Sequence, residues 1–173
     1  YPSDAVSTEK LTYLASKNKG ITYLRTTRSE TPVVYDNKEK FPLGNFKILK
    51  ETKKDKLVLV GAGITLHECL KAQKELEKRG INTSVIDIYC IKPFNAKKLI
   101  SFLKSHGNKL VISEDHYKEG GIGEMLAEEL ENTNIKISHL YVKEIPHSGT
   151  KEQLLRKYKI DSKAIIDEVK KLK

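Results

Sequence analysis

The sequence predicts an α/β fold: a mainly parallel (mixed) sheet with helices on both faces, preceded by a fragment of a second α/β domain. Two observations carry the first part. From Lys56 onward, short apolar runs rich in β-branched residues alternate with amphipathic helical patterns. Glycine or proline falls at most of the joints between them. The second part rests on residues 1–38, which offer one helix and one short β-rich run, too little to bury their own apolar faces.

Residues 2–17 read as a helix with Ser3 or Asp4 as N-cap and Val6, Leu11 and Leu14 on one side. Gly20 ends the connection, and Ile21, Thr22, Tyr23 and Leu24 form a β-rich run that delivers Arg25 and Arg28 to a turn. This pair of elements must pack on something else, either the rest of the chain or residues outside it. From Thr31 to Lys50, Pro32, Pro42 and Gly44 among charged residues mark an inter-domain connection. The linker and a leading strand at 46–49 are placed within 39–55, and the regular domain at 56–173. That domain opens with a strand at 57–60, the Gly61-Ala62-Gly63 turn and a helix at 65–78 carrying Leu66, Leu70 and Leu76, with Gly80 as its C′ stop. A strand at 84–88, a turn at Pro93 and a helix at 96–104 follow. Leu110, Val111 and Ile112 form a buried strand, and Gly120, Gly121 and Gly123 turn the chain sharply into a helix at 123–130. A strand at 137–142 precedes closing helices at 151–158 and 162–172.

The 173 residues suffice for one ordinary domain with a substantial core, or for one domain and a fragment. A composition of 38% hydrophobic and 32% charged residues is that of a soluble protein. No apolar run approaches the ~20 residues that a membrane-spanning helix needs, and no secretory signal opens the chain. Cys69 and Cys90 are too few and too far apart for a zinc cluster or a CxxC pair. They read as buried thiols of a protein in a reducing, cytoplasmic setting. The net charge of +9 raises the question of nucleic acid. Yet the lysines are spread along the chain, alternate with Glu and Asp, and form no arginine-rich or aromatic-interleaved motif. Neither nucleic acid nor membrane is an expected partner; the excess charge instead favours approach of small anions.

Three stretches bear on chemistry. Gly61-Ala62-Gly63 lies between a strand and a helix, as a dinucleotide site requires, but position 66 is Leu rather than Gly. With Asp87 as its one ribose-binding candidate, the turn reads as structural. The Gly120–Gly123 turn has the geometry to hold an anion at a helix N-terminus, or to let elements pack closely; no Lys-Ser/Thr follows, so it is no P-loop. Packing or subunit contact is the favoured reading. The third stretch, RTTRSE, puts two arginines on a turn at a strand end, and a guanidinium fork suits phosphate. No HExxH pair or GxSxG elbow occurs, and Glu114, Asp115, His116 and Glu119 stand too close together in one turn to converge on a cation.

Several blocks of the chain, taken in order, carry a family resemblance. YPSD (1–4), GITYLRTTRSE (20–30), VGAGITLHE (60–68), IKPFN (91–95), EDHYKEGGIGE (114–124) and HSGTKEQLLRKYKID (147–161) resemble the C-terminal portion of transketolases, in particular the shorter, animal-like branch. The resemblance implies that residues 1–38 are the tail of the pyrimidine-binding domain and 56–173 the C-terminal domain. It also implies that Tyr1 is a truncation or cleavage point, and that the first segment packs on residues outside the chain. The implied reaction is reversible transfer of a two-carbon ketol unit from a ketose phosphate to an aldose phosphate in the pentose phosphate pathway. The implied enzyme is a cytoplasmic homodimer that uses thiamine diphosphate and a divalent cation, Mg or Ca.

Arg28 matches the family arginine that binds the sugar phosphate group, and Arg25 reads as a neighbour whose ion pair supports the turn. The family's diphosphate site, metal ligands, catalytic histidines and activating glutamate have no counterpart in this sequence. No catalytic, cofactor-binding or metal residue is therefore expected in the chain, and the isolated chain is expected to be inactive and to bind no cofactor. Two other readings stand beside this one. The first is a subunit of a related thiamine enzyme, of the deoxyxylulose-phosphate synthase or 2-oxoacid dehydrogenase β type, although the RTTR turn argues against an acyl-transferring dehydrogenase. The second is a noncatalytic module for dimerisation or regulation.

Overall fold

In the computed structural model, which describes residues 1–172, the apolar runs of the second half pair into a five-stranded sheet. In chain order the elements are α1 (Ala5–Lys17), β1 (Lys47–Lys50), β2 (Val58–Gly61), α2 (Ile64–Lys78), β3 (Ser84–Asp87) and α3 (Ala96–Ser105). β4 (Lys109–Ser113), α4 (Ile122–Glu129), β5 (Lys136–Leu140), α5 (Lys151–Lys157) and α6 (Ser162–Leu172) complete the set. The strand order is β1-β3-β2-β4-β5, with β1 antiparallel to β3 and the other pairs parallel. β2 sits at the centre, Val60 pairing with Ile86 on one side and Ile112 on the other.

Because side chains alternate along a strand, each strand feeds both faces. Leu59 and Val111 point to one face and pack under α2 and α6 with Leu66, Leu76 and Ile165. Val60 and Ile112 point to the other, under α3 and α4 with Leu99 and Leu126. Burial on both faces explains why these strands read as continuous apolar runs instead of an alternation. The chain leaves β2 toward β3 through α2 and leaves β4 toward β5 through α4, so the two exits depart to opposite faces of the sheet. That places a topological switch point, and hence a crevice, at the carboxyl ends of β2 and β4.

Two expectations for the first segment need correction. Residues 21–24 form no strand, because no neighbouring strand among the described residues offers them a ladder; Ile21 is fully exposed and Tyr23 nearly so. The segment also finds packing partners within this chain. Val6, Leu11 and Tyr35 form a third apolar cluster with Phe41, Tyr89 and Cys90, in which Phe41 stands edge-on to both tyrosine rings. α1 is fixed there by a capping box in which Asp4 accepts from the Ser7 amide, while its second oxygen accepts from the Val34 and Tyr35 amides at 2.9 and 3.0 Å. No helix among the described residues is long and apolar enough to cross a membrane.

Candidate functional site at the carboxyl edge of the sheet

Tyr1 stands in the crevice at the switch point, where a doubly wound fold offers room for a ligand, and forms part of its wall. The Gly61-Ala62-Gly63 turn leaves β2 with Gly63 at φ +53°, and a Cβ on Gly63 would overlap the Tyr1 ring. Tyr1 donates its hydroxyl to Asp115 Oδ2 at 2.8 Å, and the Arg25 guanidinium lies over the ring, 4.4 Å from its centroid. Arg25 in turn donates from Nη2 to Asp115 Oδ2 at 2.9 Å and to the Asp115 carbonyl at 3.0 Å, and from Nη1 to Oδ1 at 3.3 Å. The reading of Arg25 as an ion pair supporting its turn therefore holds, with Asp115 as the partner.

Asp87, the sole ribose-binding candidate, is occupied as well. It is fully buried at the end of β3 and accepts from Ser3 Oγ at 2.8 Å and the Tyr35 hydroxyl at 2.6 Å. Burial pushes its carboxyl up to about 7, against the opposing pull of those two hydroxyls. Burial beside Asp87 likewise pushes the Tyr35 hydroxyl far up. The turn after β2 is structural, as its sequence suggests.

The glycine turn after β4 does hold an anion at a helix N-terminus, and the anion belongs to the chain. The buried Glu114 carboxylate accepts from the amides of Ile122 at 2.6 Å and Gly123 at 3.1 Å, at the start of α4, and pairs with His139 Nε2 on β5. A Cβ on Gly121 would stand 2.6 Å from the Glu114 carboxylate oxygens, and one on Gly123 would overlap the His139 ring. The two sequence readings, anion cradle and close packing, are thus both met by one carboxylate. Glu114 faces the helix, Asp115 faces Arg25 and His116 is exposed, so these neighbours diverge instead of converging on a cation.

A cleft of about 690 Å³ lies between residues 21–25 and the loops that follow β3 and β4. Its walls include apolar Ile21, Tyr23, Leu43 and Ile91, with Arg25, Lys92, Glu114 and Asp115 as charges. Arg28 is not among its lining residues. It stands exposed three residues on, with no hydrogen bond or ion pair to any described residue. Its turn is held by Arg25 at one end and by Lys151 Nζ, which donates to the Glu30 carbonyl at 3.2 Å, at the other. Sequence reasoning missed Tyr1, Asp115 and Glu114 as partners; the glycines were the available signal, since each marks a place where another group comes close.

His67 binds the Ser3 carbonyl through Nε2 at 2.7 Å, His106 stacks on Phe102, and Cys69 and Cys90 are both buried free thiols. Among the described residues no group of three or more His, Cys, Asp or Glu side chains stands where it could hold a metal ion. Asp87 and Glu114, the buried carboxylates at the ends of β3 and β4, are each engaged within the chain, which leaves neither of them free for the cation of a diphosphate.

Comparison with known proteins agrees with this architecture. The family model for the transketolase C-terminal domain matches residues 44–165. Over 173 residues the chain is 44% identical to transketolase-like protein 1 of Bos taurus and 40% identical to transketolase of Homo sapiens. Both alignments cover 99% of this chain but only 29% and 28% of those proteins, so the chain spans less than a third of the curated relatives' length. Among solved structures, a split-gene transketolase described as an inactive β4 tetramer superposes with a TM-score of 0.88 at 31% identity, over 98% of this chain and 55% of that one. The Campylobacter jejuni transketolase, at 20% identity and a TM-score of 0.53 over 81% of this chain and 20% of that one, shares the fold.

Proposed function

The chain belongs to the transketolase family, which it enters through the C-terminal domain, and from that premise we propose that it is the C-terminal part of a ketol-transferring enzyme. The reaction moves a two-carbon ketol unit from a ketose phosphate to an aldose phosphate, in the pentose phosphate pathway. Thiamine diphosphate with Mg or Ca supplies the carbanion chemistry when bound. Those groups are held by residues outside this chain, in a cytoplasmic homodimer, and the chain alone transfers nothing.

What this chain contributes is grip on the substrate. Arg28 binds the terminal phosphate of the sugar: its guanidinium is always charged, presents a planar fork of donors and is claimed by no other described residue. The observation that carries the assignment is this exposed, unpartnered arginine on a turn tied at both ends to the C-terminal domain. The contact is remote from the bond that breaks, so its binding energy serves positioning and specificity. A charge-assisted hydrogen bond is worth about 1.5–3 kcal/mol, which corresponds to roughly tenfold to hundredfold in kcat/KM.

In the complete enzyme, Arg28→Ala is expected to lower kcat/KM for phosphorylated sugars by that factor, and for an unphosphorylated ketol donor far less. Equal losses on both would contradict the phosphate assignment. A noncatalytic dimerisation module is the second reading, favoured by the exposed Ile21 and Tyr23 in the cleft wall. It predicts that Arg28→Ala leaves substrate discrimination unchanged while Ile21→Ser and Tyr23→Ser weaken self-association.

A further inference from the structure

We propose that Asp115 is a positioning residue for substrate phosphate: it holds Arg25 across the carboxyl edge of the sheet, and so fixes the turn from which Arg28 reaches. The inference rests on the assignment of Arg28 to the phosphate.

Apart from Leu24, which packs on the third apolar cluster, the turn is held by side-chain hydrogen bonds. Residues 19–33 carry no helix or strand, and none of their amides or carbonyls joins a backbone–backbone hydrogen bond among the described residues. The ties that cross to the C-terminal domain are made by side chains. At one end Arg25 makes three hydrogen bonds to Asp115, two to its carboxylate and one to its carbonyl, and lies over the Tyr1 ring. At the other, Lys151 reaches the Glu30 carbonyl. Arg28 lies between these two anchors. A fork-to-fork contact fixes direction as well as distance, which a single lysine contact does not. The Arg25–Asp115 pair is therefore the anchor that sets the orientation of the turn.

Charge leads to the same place. Arg25 and Arg28 stand three residues apart with the same sign, and Asp115 is the carboxylate that neutralises the first of them. With Arg25 engaged, Arg28 is the guanidinium left for an anion. Remove the carboxylate, and Arg25 becomes both a mobile tether and a competing phosphate ligand in the wrong place. Half-burial of the pair, with side-chain exposures of 33% and 22%, limits its screening by salt. Asp115 follows Glu114, whose carboxylate is held by the amides at the start of α4, so the backbone that carries Asp115 is anchored beside it.

The test uses the complete enzyme and the ratio of kcat/KM for a phosphorylated over an unphosphorylated aldose acceptor, which general loss of folded enzyme does not change. Asp115→Asn keeps the size and the Tyr1 contact but removes the charge; the ratio is expected to fall about tenfold, mostly through KM, the scale of one charge-assisted hydrogen bond. Arg25→Gln is expected to lower it by a similar factor. The double variant is expected to fall no further than the larger single loss, because both changes cut the same bond. Arg28→Ala is the reference. If Arg28→Ala lowers the ratio and Asp115→Asn does not, or if the two losses simply add, the positioning role is overturned while the phosphate assignment stands. If Arg28→Ala leaves the ratio unchanged, the assignment itself falls and the inference with it.

Discussion

At the scale of single residues, the buried carboxylates at the seam between the first segment and the sheet give opposite dependences on pH. In an unfolded chain an aspartate titrates near 3.9, whereas Asp87 in the fold titrates near 7. Folding therefore favours its protonated form, and the stability it contributes is complete below about pH 4 and lost as pH rises through about 7. The slope is at most about 1.4 kcal/mol per pH unit in that window. For Asp4, burial pushes the carboxyl up, but the Ser7 side chain and amide and the Val34 and Tyr35 amides outweigh it and hold it below its ordinary value. Its contribution is present above about pH 4 and is lost on acidification. The melting temperature of the chain is expected to rise as pH is lowered from 8 to about 5, and Asp87→Asn to flatten that rise. An unchanged slope in the variant would show that Asp87 does not carry it.

At the scale of elements, the join between β4 and α4 shows what a sequence can and cannot display. Three glycines after an apolar run made the turn legible, and the helix follows within one residue of its expected start. What fills the turn was not legible, because Glu114, Asp115 and His116 are adjacent in sequence and take three different directions in space. The join predicts measurable costs. Gly123→Ala would drive a methyl into the His139 ring and is expected to destabilise by about 1–3 kcal/mol in denaturant unfolding. Glu114→Ala would leave His139 and two helix amides without their acceptor, at about 3 kcal/mol. Losses below about 0.5 kcal/mol, the size of an ordinary surface change, would contradict this picture. The run at 21–24 is the converse case: its β propensity is plain, but a strand needs a partner, and none is described for it.

At the scale of the whole molecule, the parallel α/β plan was written in the alternation of apolar runs and amphipathic stretches, down to boundaries within a residue or two. The site was legible only where its partners are local. RTTR announced two arginines on one turn, and the supporting role of Arg25 could be anticipated. Its partner could not, since Asp115 lies 90 residues away, and Tyr1 reaches the same carboxylate across 114. Contacts of that span depend on the sheet order, which places the ends of β2 and β4 side by side. The division of labour we propose, with a phosphate grip in this chain and the ketol chemistry outside it, is tested most directly in one assay. Ketol transfer from xylulose 5-phosphate to ribose 5-phosphate is measured with thiamine diphosphate and Mg, for the complete enzyme and for this chain alone. Transfer by the complete enzyme and none by the chain is the predicted result; transfer by the chain alone, or none by the complete enzyme, would contradict it.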